Sequence, residues 1–202
     1  MKTRNWLQRA IACSILLWGV AVHSAEEMDR LAQAQAKGVL TACIDPYSYP
    51  ASAQSSEPPG YDVEIVKHIA QLAGLKPMVY WADTGTRGSL GRALRDSIVK
   101  GRCDFFMGLS DTAEDLGTMG DETGPGEESV LFIRFPPNAR FHPAAGFVPE
   151  RALRFNSAIA VPEADAKLWT FLDESIGKLL AHGEIQQIVE RYGVPFFQPF
   201  VN

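Results

Sequence analysis

Positive charge is scarce in this 202-residue chain. Lys and Arg number 19 against 24 Asp and Glu, for a formal net charge of −5. Nucleic-acid phosphates call for a basic face, so a nucleic-acid partner is not expected. Cysteine is scarce too: three residues are too few for a disulfide scaffold. Glycine (17) and proline (13) are at ordinary levels, which excludes collagen-like and low-complexity classes. No apolar run reaches the roughly 20 residues that span a bilayer. What the chain does have is 46% hydrophobic residues, enough for a packed core in one or two small domains and too many for disorder.

The N-terminus reads as a secretory signal over residues 1–25. Lys2, Arg4 and Arg9 precede the apolar run Ile11 to Val22, and small residues follow, placing cleavage near Ser24 or Ala25. Cys13 lies at the start of that run, the wrong end for lipid attachment. Removing 25 of 202 residues leaves 177, and losing three cations moves the net charge from −5 to −8. The expected location is the periplasm, where disulfides are allowed, with no stable membrane insertion after cleavage.

The mature part alternates. Residues 26–36 favour helix, and 39–44 (VLTACI) read as a buried strand ended by Asp45-Pro46. Residues 47–60 read as a loop. Apolar spacing from Tyr61 to Leu75 marks an amphipathic helix, followed by a strand at 77–81, a loop at 82–88, a helix at 89–100 and a strand at 103–109. Such an order implies a mostly parallel sheet flanked by helices, with ligands beyond the carboxyl ends of its strands. Residues 116–157 are dense in breakers, with one strand-like run at 130–135. A strand at 158–161 and a long helical pattern from 165 to 192, broken at His182-Gly183, complete the chain. Phe196, Phe197 and Phe200 read as tail anchors.

Four blocks carry a resemblance: VLTACIDPYSYP, GYDVEIVKHIAQLAGLK, SLGRALRDSIVKGRCDFFMGLSDTAED and AIAVPEADAKLWTFLDESIGKLLAHGEIQQIVERYG. In that order the chain resembles the periplasmic solute-binding proteins of family 3, with a type II fold. The implied architecture is α/β, one main lobe formed by residues 26–115 and 158–202. Cys-x-Asp-Pro at 43–46, Trp81, Arg87-Gly88 and Gly-Arg-Cys-Asp at 101–104 are similar to a narrower subgroup associated with periplasmic quinoprotein dehydrogenases, such as the accessory protein of methanol dehydrogenase.

Two departures shape the functional expectation. Where the family reads Thr-Pro-Glu-Arg, with the arginine clamping the ligand α-carboxylate, this chain has Thr112-Ala113-Glu114-Asp115. The 42 residues of 116–157 are also about half of what the family's second lobe needs, so they read as an irregular connector in its place. A single lobe leaves the carboxyl edge open. Asp45, Tyr47, Tyr49, Trp81, Arg87, Ser110 and Thr112 form the expected ligand- or partner-binding set.

No catalytic triad, metal-ligand cluster or cofactor motif stands out. Asp45, Asp83, Asp111 and Glu114 read as solvated loop acids, and Glu64 with His68 as an i, i+4 surface pair. Cys43 and Cys103 are offset by about three strand residues, roughly 10 Å, against a disulfide Cα separation under about 7 Å, so buried free thiols are the leading expectation and a periplasmic disulfide the alternative. The leading expectation is a non-enzymatic accessory module docking on a periplasmic dehydrogenase or cytochrome. The alternatives are a receptor delivering a small organic solute to an ABC transporter, and a lyase-like enzyme on the same fold.

Overall fold

The computed structural model describes residues 29–85, 90–110, 130–137 and 156–197. The signal segment, Arg87 and Thr112 lie outside them.

Helix α1 (Arg30–Lys37) leads into β1 (Val39–Ile44); the two-residue strands β2 (Tyr47–Ser48) and β3 (Ser52–Ala53) follow, then α2 (Tyr61–Leu72) and β4 (Lys76–Trp81). Helix α3 (Leu90–Leu94) continues as a π-type turn (Arg95–Val99) before β5 (Phe105–Ser110). Strands β6 (Val130–Pro137) and β7 (Asn156–Pro162) precede α4 (Ala166–Ala181) and α5 (Glu184–Arg191). The main sheet has the order β4-β1-β5-β7-β6. Strands β4, β1 and β5 are parallel; β7 runs against β5, and β6 against β7. Four of the five strands therefore point the same way, the mostly parallel α/β sheet expected.

Side chains alternate between the two faces, as strand geometry requires. On the first face Leu40, Ala42, Ile44, Phe105, Met107, Ile159 and Val161 pack under α1, α2, α4 and α5. On the second face Cys43, Phe106, Ala158 and Ala160 pack under α3 and the π-type turn. Leu109 breaks the alternation and joins the second face. The cause is a bulge between Phe106 and Leu109, where Gly108 takes φ +81° and a Cβ would overlap the buried Asp62 carboxylate. An extra residue in one strand shifts every side chain after it to the other face.

Several boundaries have local causes. Asp29 accepts from Ala32 N–H (2.8 Å) to cap α1. Buried Asp165 caps α4 through Leu168 N–H (2.9 Å) and also accepts from Arg30 N–H (2.7 Å), joining two helix starts. Gly183, left-handed, separates α4 from α5, at the break the sequence marked.

Three expectations need correction. Cys43 and Cys103 form a disulfide, with Cα atoms 5.6 Å apart. The offset estimate treated Cys103 as part of an extended strand, but residues 101–104 form a turn. Backbone bonds Gly101 N–H to Ile98 O (3.1 Å) and Arg102 N–H to Ser97 O (2.9 Å) fold that turn back against the π-type turn. Residues 47–60, expected as loop, hold the antiparallel pair β2–β3. Finally, His68 bonds Glu184 Oε2 (2.8 Å) instead of Glu64; Glu64 accepts from Tyr192 Oη–H (2.7 Å) and from Arg191. Both contacts tie α2 to the end of the chain, which periodicity along one helix does not reveal. Phe196 packs against the first-face core as an anchor.

Candidate functional site

Parallel strands that end level build an edge from their following loops. Ile44 at the end of β1 pairs with Trp81 at the end of β4, and Ala82 N–H continues the ladder to Ile44 O (2.9 Å). The loops after β1 and β4 therefore leave side by side.

Asp45 joins them. Its Oδ1 accepts from Tyr47 N–H (2.6 Å) and Ser48 Oγ–H (3.2 Å), while Oδ2 accepts from Thr84 N–H (2.9 Å) and the Thr84 hydroxyl. Both carboxylate oxygens are thus committed to backbone and hydroxyl groups of the edge itself. Asp45, expected to touch ligand, positions the loops that would. Thr84, its partner from the β4 loop, was missed; a turn-forming Asp-Thr-Gly run was its only sequence signal. Asp83 accepts from Gly85 N–H (3.0 Å) in the same turn.

The β2–β3 hairpin is fixed from the other side. Tyr61 N–H donates to Pro50 O (3.1 Å) and Asp62 N–H to Ala51 O (2.9 Å), so hairpin carbonyls satisfy donors that α2 leaves open at its start. Gly60 makes this approach possible: with φ +116°, it passes so close that a Cβ would overlap the Ala51 carbonyl.

On this held hairpin Tyr47 and Tyr49 stand open, 70% and 50% exposed. Trp81 does not stand open with them: it is half-buried and packs against the first-face core. Ser110 ends β5 in the same sheet. The structure brings Asp45, Tyr47 and Trp81 to one edge and makes two of the three its support. Between residues 44 and 60 and between 81 and 85 the acidic side chains are Asp45, Glu57 and Asp83, with no Lys or Arg. An anionic solute finds no counter-charge among these described residues.

No family model matches the chain, and no curated protein sequence matches it. Solved structures do. A point mutant of the arginine-bound form of domain 1 from TmArgBP is 17% identical, with TM-score 0.50, over 75% of this chain and 98% of that one. The chain has a periplasmic-binding-protein-like fold. A histidine-bound substrate-binding protein of an ABC uptake transporter from Streptococcus pneumoniae is 12% identical, with TM-score 0.57, over 81% and 96%. An ancestral cyclohexadienyl dehydratase is 11% identical, with TM-score 0.58, over 82% and 96%. At these identities the likeness is one of fold. The strand order switches at β1, with β4 on one side of it and β5 on the other, and in open α/β sheets ligands sit beyond the carboxyl ends at such a point.

Among the described residues no helix is long and apolar enough to cross a membrane, and no group of three His, Cys, Asp or Glu is placed to hold a metal ion.

Proposed function

We propose that this chain is a non-enzymatic receptor module that holds a small neutral or cationic organic solute at the carboxyl edge of its sheet, for delivery to a transporter. The observation that carries the reading is the pair of open tyrosines on a hairpin locked by Asp45 and α2. Exposed aromatic faces on a rigid support bind alkyl and cationic groups at low entropic cost. Among residues 44–60 and 81–85 the charged side chains are all acidic, which supports a neutral or cationic solute; Arg87 of the same loop lies outside the described residues. A single lobe is sufficient for binding in at least one neighbour, since domain 1 from TmArgBP is described in its arginine-bound form. This supports reading the chain as one lobe, whose main sheet includes residues 130–137 as β6. The Cys43–Cys103 disulfide supports an oxidising compartment, the periplasm.

The accessory role beside a quinoprotein dehydrogenase is the second reading. Its two motifs, Cys-x-Asp-Pro and Gly-Arg-Cys-Asp, meet in that disulfide, so they have a structural role whatever the chain binds.

A thermal-shift screen over amino acids, amines and small organic acids tests the proposal. A solute at 100 times its Kd should stabilise by about 2.7 kcal/mol. Tyr47→Ser with Tyr49→Ser should abolish that shift and leave the melting temperature without solute nearly unchanged. Silence across the screen, together with a dehydrogenase or cytochrome retained on the tagged protein from periplasm, would favour the accessory role.

A further inference from the structure

The amino edge of the sheet carries a concavity. A groove of about 360 Å³ opens there, at the lower end of the range for small-molecule sites. It lies six residues of β1 away from the carboxyl edge, about 20 Å. Its floor is Val39 and Thr41 of β1 and Met78 of β4, and its rim is Lys37, Arg102 and Asp104.

Alternation explains why it exists. Thr41 and Met78 are register partners on the second face of the sheet, two residues before Cys43 and Tyr80. Helix α3 and its π-type turn cover Cys43 and Tyr80 but not the start of these strands. Met78 is left 51% exposed, a large apolar side chain on the first half of β4, where Lys76 and Pro77 are exposed as well.

Lys37 and Arg102 give the rim two cations beside one acid, Asp104. Lys37, in the last turn of α1, makes no hydrogen bond or ion pair among the described residues. Arg102 donates from Nη1 to Tyr80 Oη (2.5 Å) and stacks over that ring at 5.7 Å, which fixes the guanidinium. Asp104 is turned into the sheet: its Oδ2 accepts from Thr41 N–H (2.7 Å) while its own N–H donates to Thr41 O (2.8 Å). Burial raises its pKa, with the Thr41 bond and the Arg30 and Lys37 charges opposing, and the Thr41 bond occupies the oxygen turned into the sheet.

We infer that this groove binds a small amphipathic carboxylate, its alkyl or aryl body on Val39, Thr41 and Met78 and its carboxylate between Lys37 and Arg102. The site is separate from the carboxyl edge and of opposite charge preference. It does not depend on what the edge binds.

The probe is hexanoate, titrated into the ¹⁵N-labelled full chain, with hexylamine as a cation of the same alkyl length. Saturable amide shifts at Val39, Thr41, Met78 and Arg102 with hexanoate, absent with hexylamine, are expected. Lys37→Gln, an exposed substitution that removes no internal bond, should weaken hexanoate about tenfold, the loss of one charge-assisted contact. Lys178→Gln, on the exposed surface of α4, should leave it unchanged. Four results would overturn the inference: no groove shifts at about 10 mM hexanoate, enough to reveal millimolar binding; shifts confined to residues 45–53; equal binding of hexylamine; or wild-type affinity in Lys37→Gln.

Discussion

The two faces of the sheet are built to different depths. Among the described residues, the first face buries 24 hydrophobic residues under four helices, the second 10 under one short helix and a π-type turn. The second face also holds the only covalent cross-link among the described residues, Cys43–Cys103. A thin layer buries less apolar surface against the entropy of ordering its loops. A bridge across a 60-residue separation restricts the unfolded chain instead, and so stabilises where packing is sparse. The contrast extends to binding. The thin face leaves the groove over Val39 and Met78.

Removing the bridge should give the largest effect. Cys43→Ala with Cys103→Ala is expected to cost about 4 kcal/mol from loop entropy, read as a lower midpoint in denaturant unfolding. A cost below about 1 kcal/mol would mean that the thin face holds by packing alone. Next comes the thick face. Leu168, fully buried on α4, should cost about 3 kcal/mol as Leu168→Ala. That loss should be the same with the disulfide intact or absent, since the two sites lie on opposite faces and share no partner. Non-additivity above about 0.5 kcal/mol would show the faces to be coupled.

The smallest effect tests the rim of the thick face. Burial alone would raise the Glu64 pKa, but the hydrogen bonds from Tyr192 and Arg191 outweigh it and hold the group below its ordinary value of 4.5. The folded state thus favours the carboxylate. The stability this adds is present above pH 4.5 and is lost as pH falls through the depressed value. Glu64→Gln should cost less than about 1 kcal/mol near neutral pH, because the group is partly exposed. The difference from wild type should vanish in acid. A constant difference across pH would assign the effect to shape rather than charge.

Local patterns made much of this legible. The short apolar runs at 39–44 and 158–161 and the helical spacing from Tyr61 named their elements, because each is dominated by which side chains face the core. The break at His182-Gly183 was readable from glycine alone. What escaped were pairings across the fold. Asp45 looked like a ligand residue because its position at a strand end is all that sequence shows; its four contacts come from loops up to 39 residues away. Trp81 looked open for the same reason, and its burial depends on the helices across the first face.

By itself, the sequence determined the α/β alternation and the break between the last two helices. These follow from local periodicity and turn chemistry, which need no distant partner. Only the tertiary structure decided the disulfide, the bulge at Gly108 and the open groove at the amino edge. Each depends on how far one segment folds back over another, a distance that spacing along the chain does not contain.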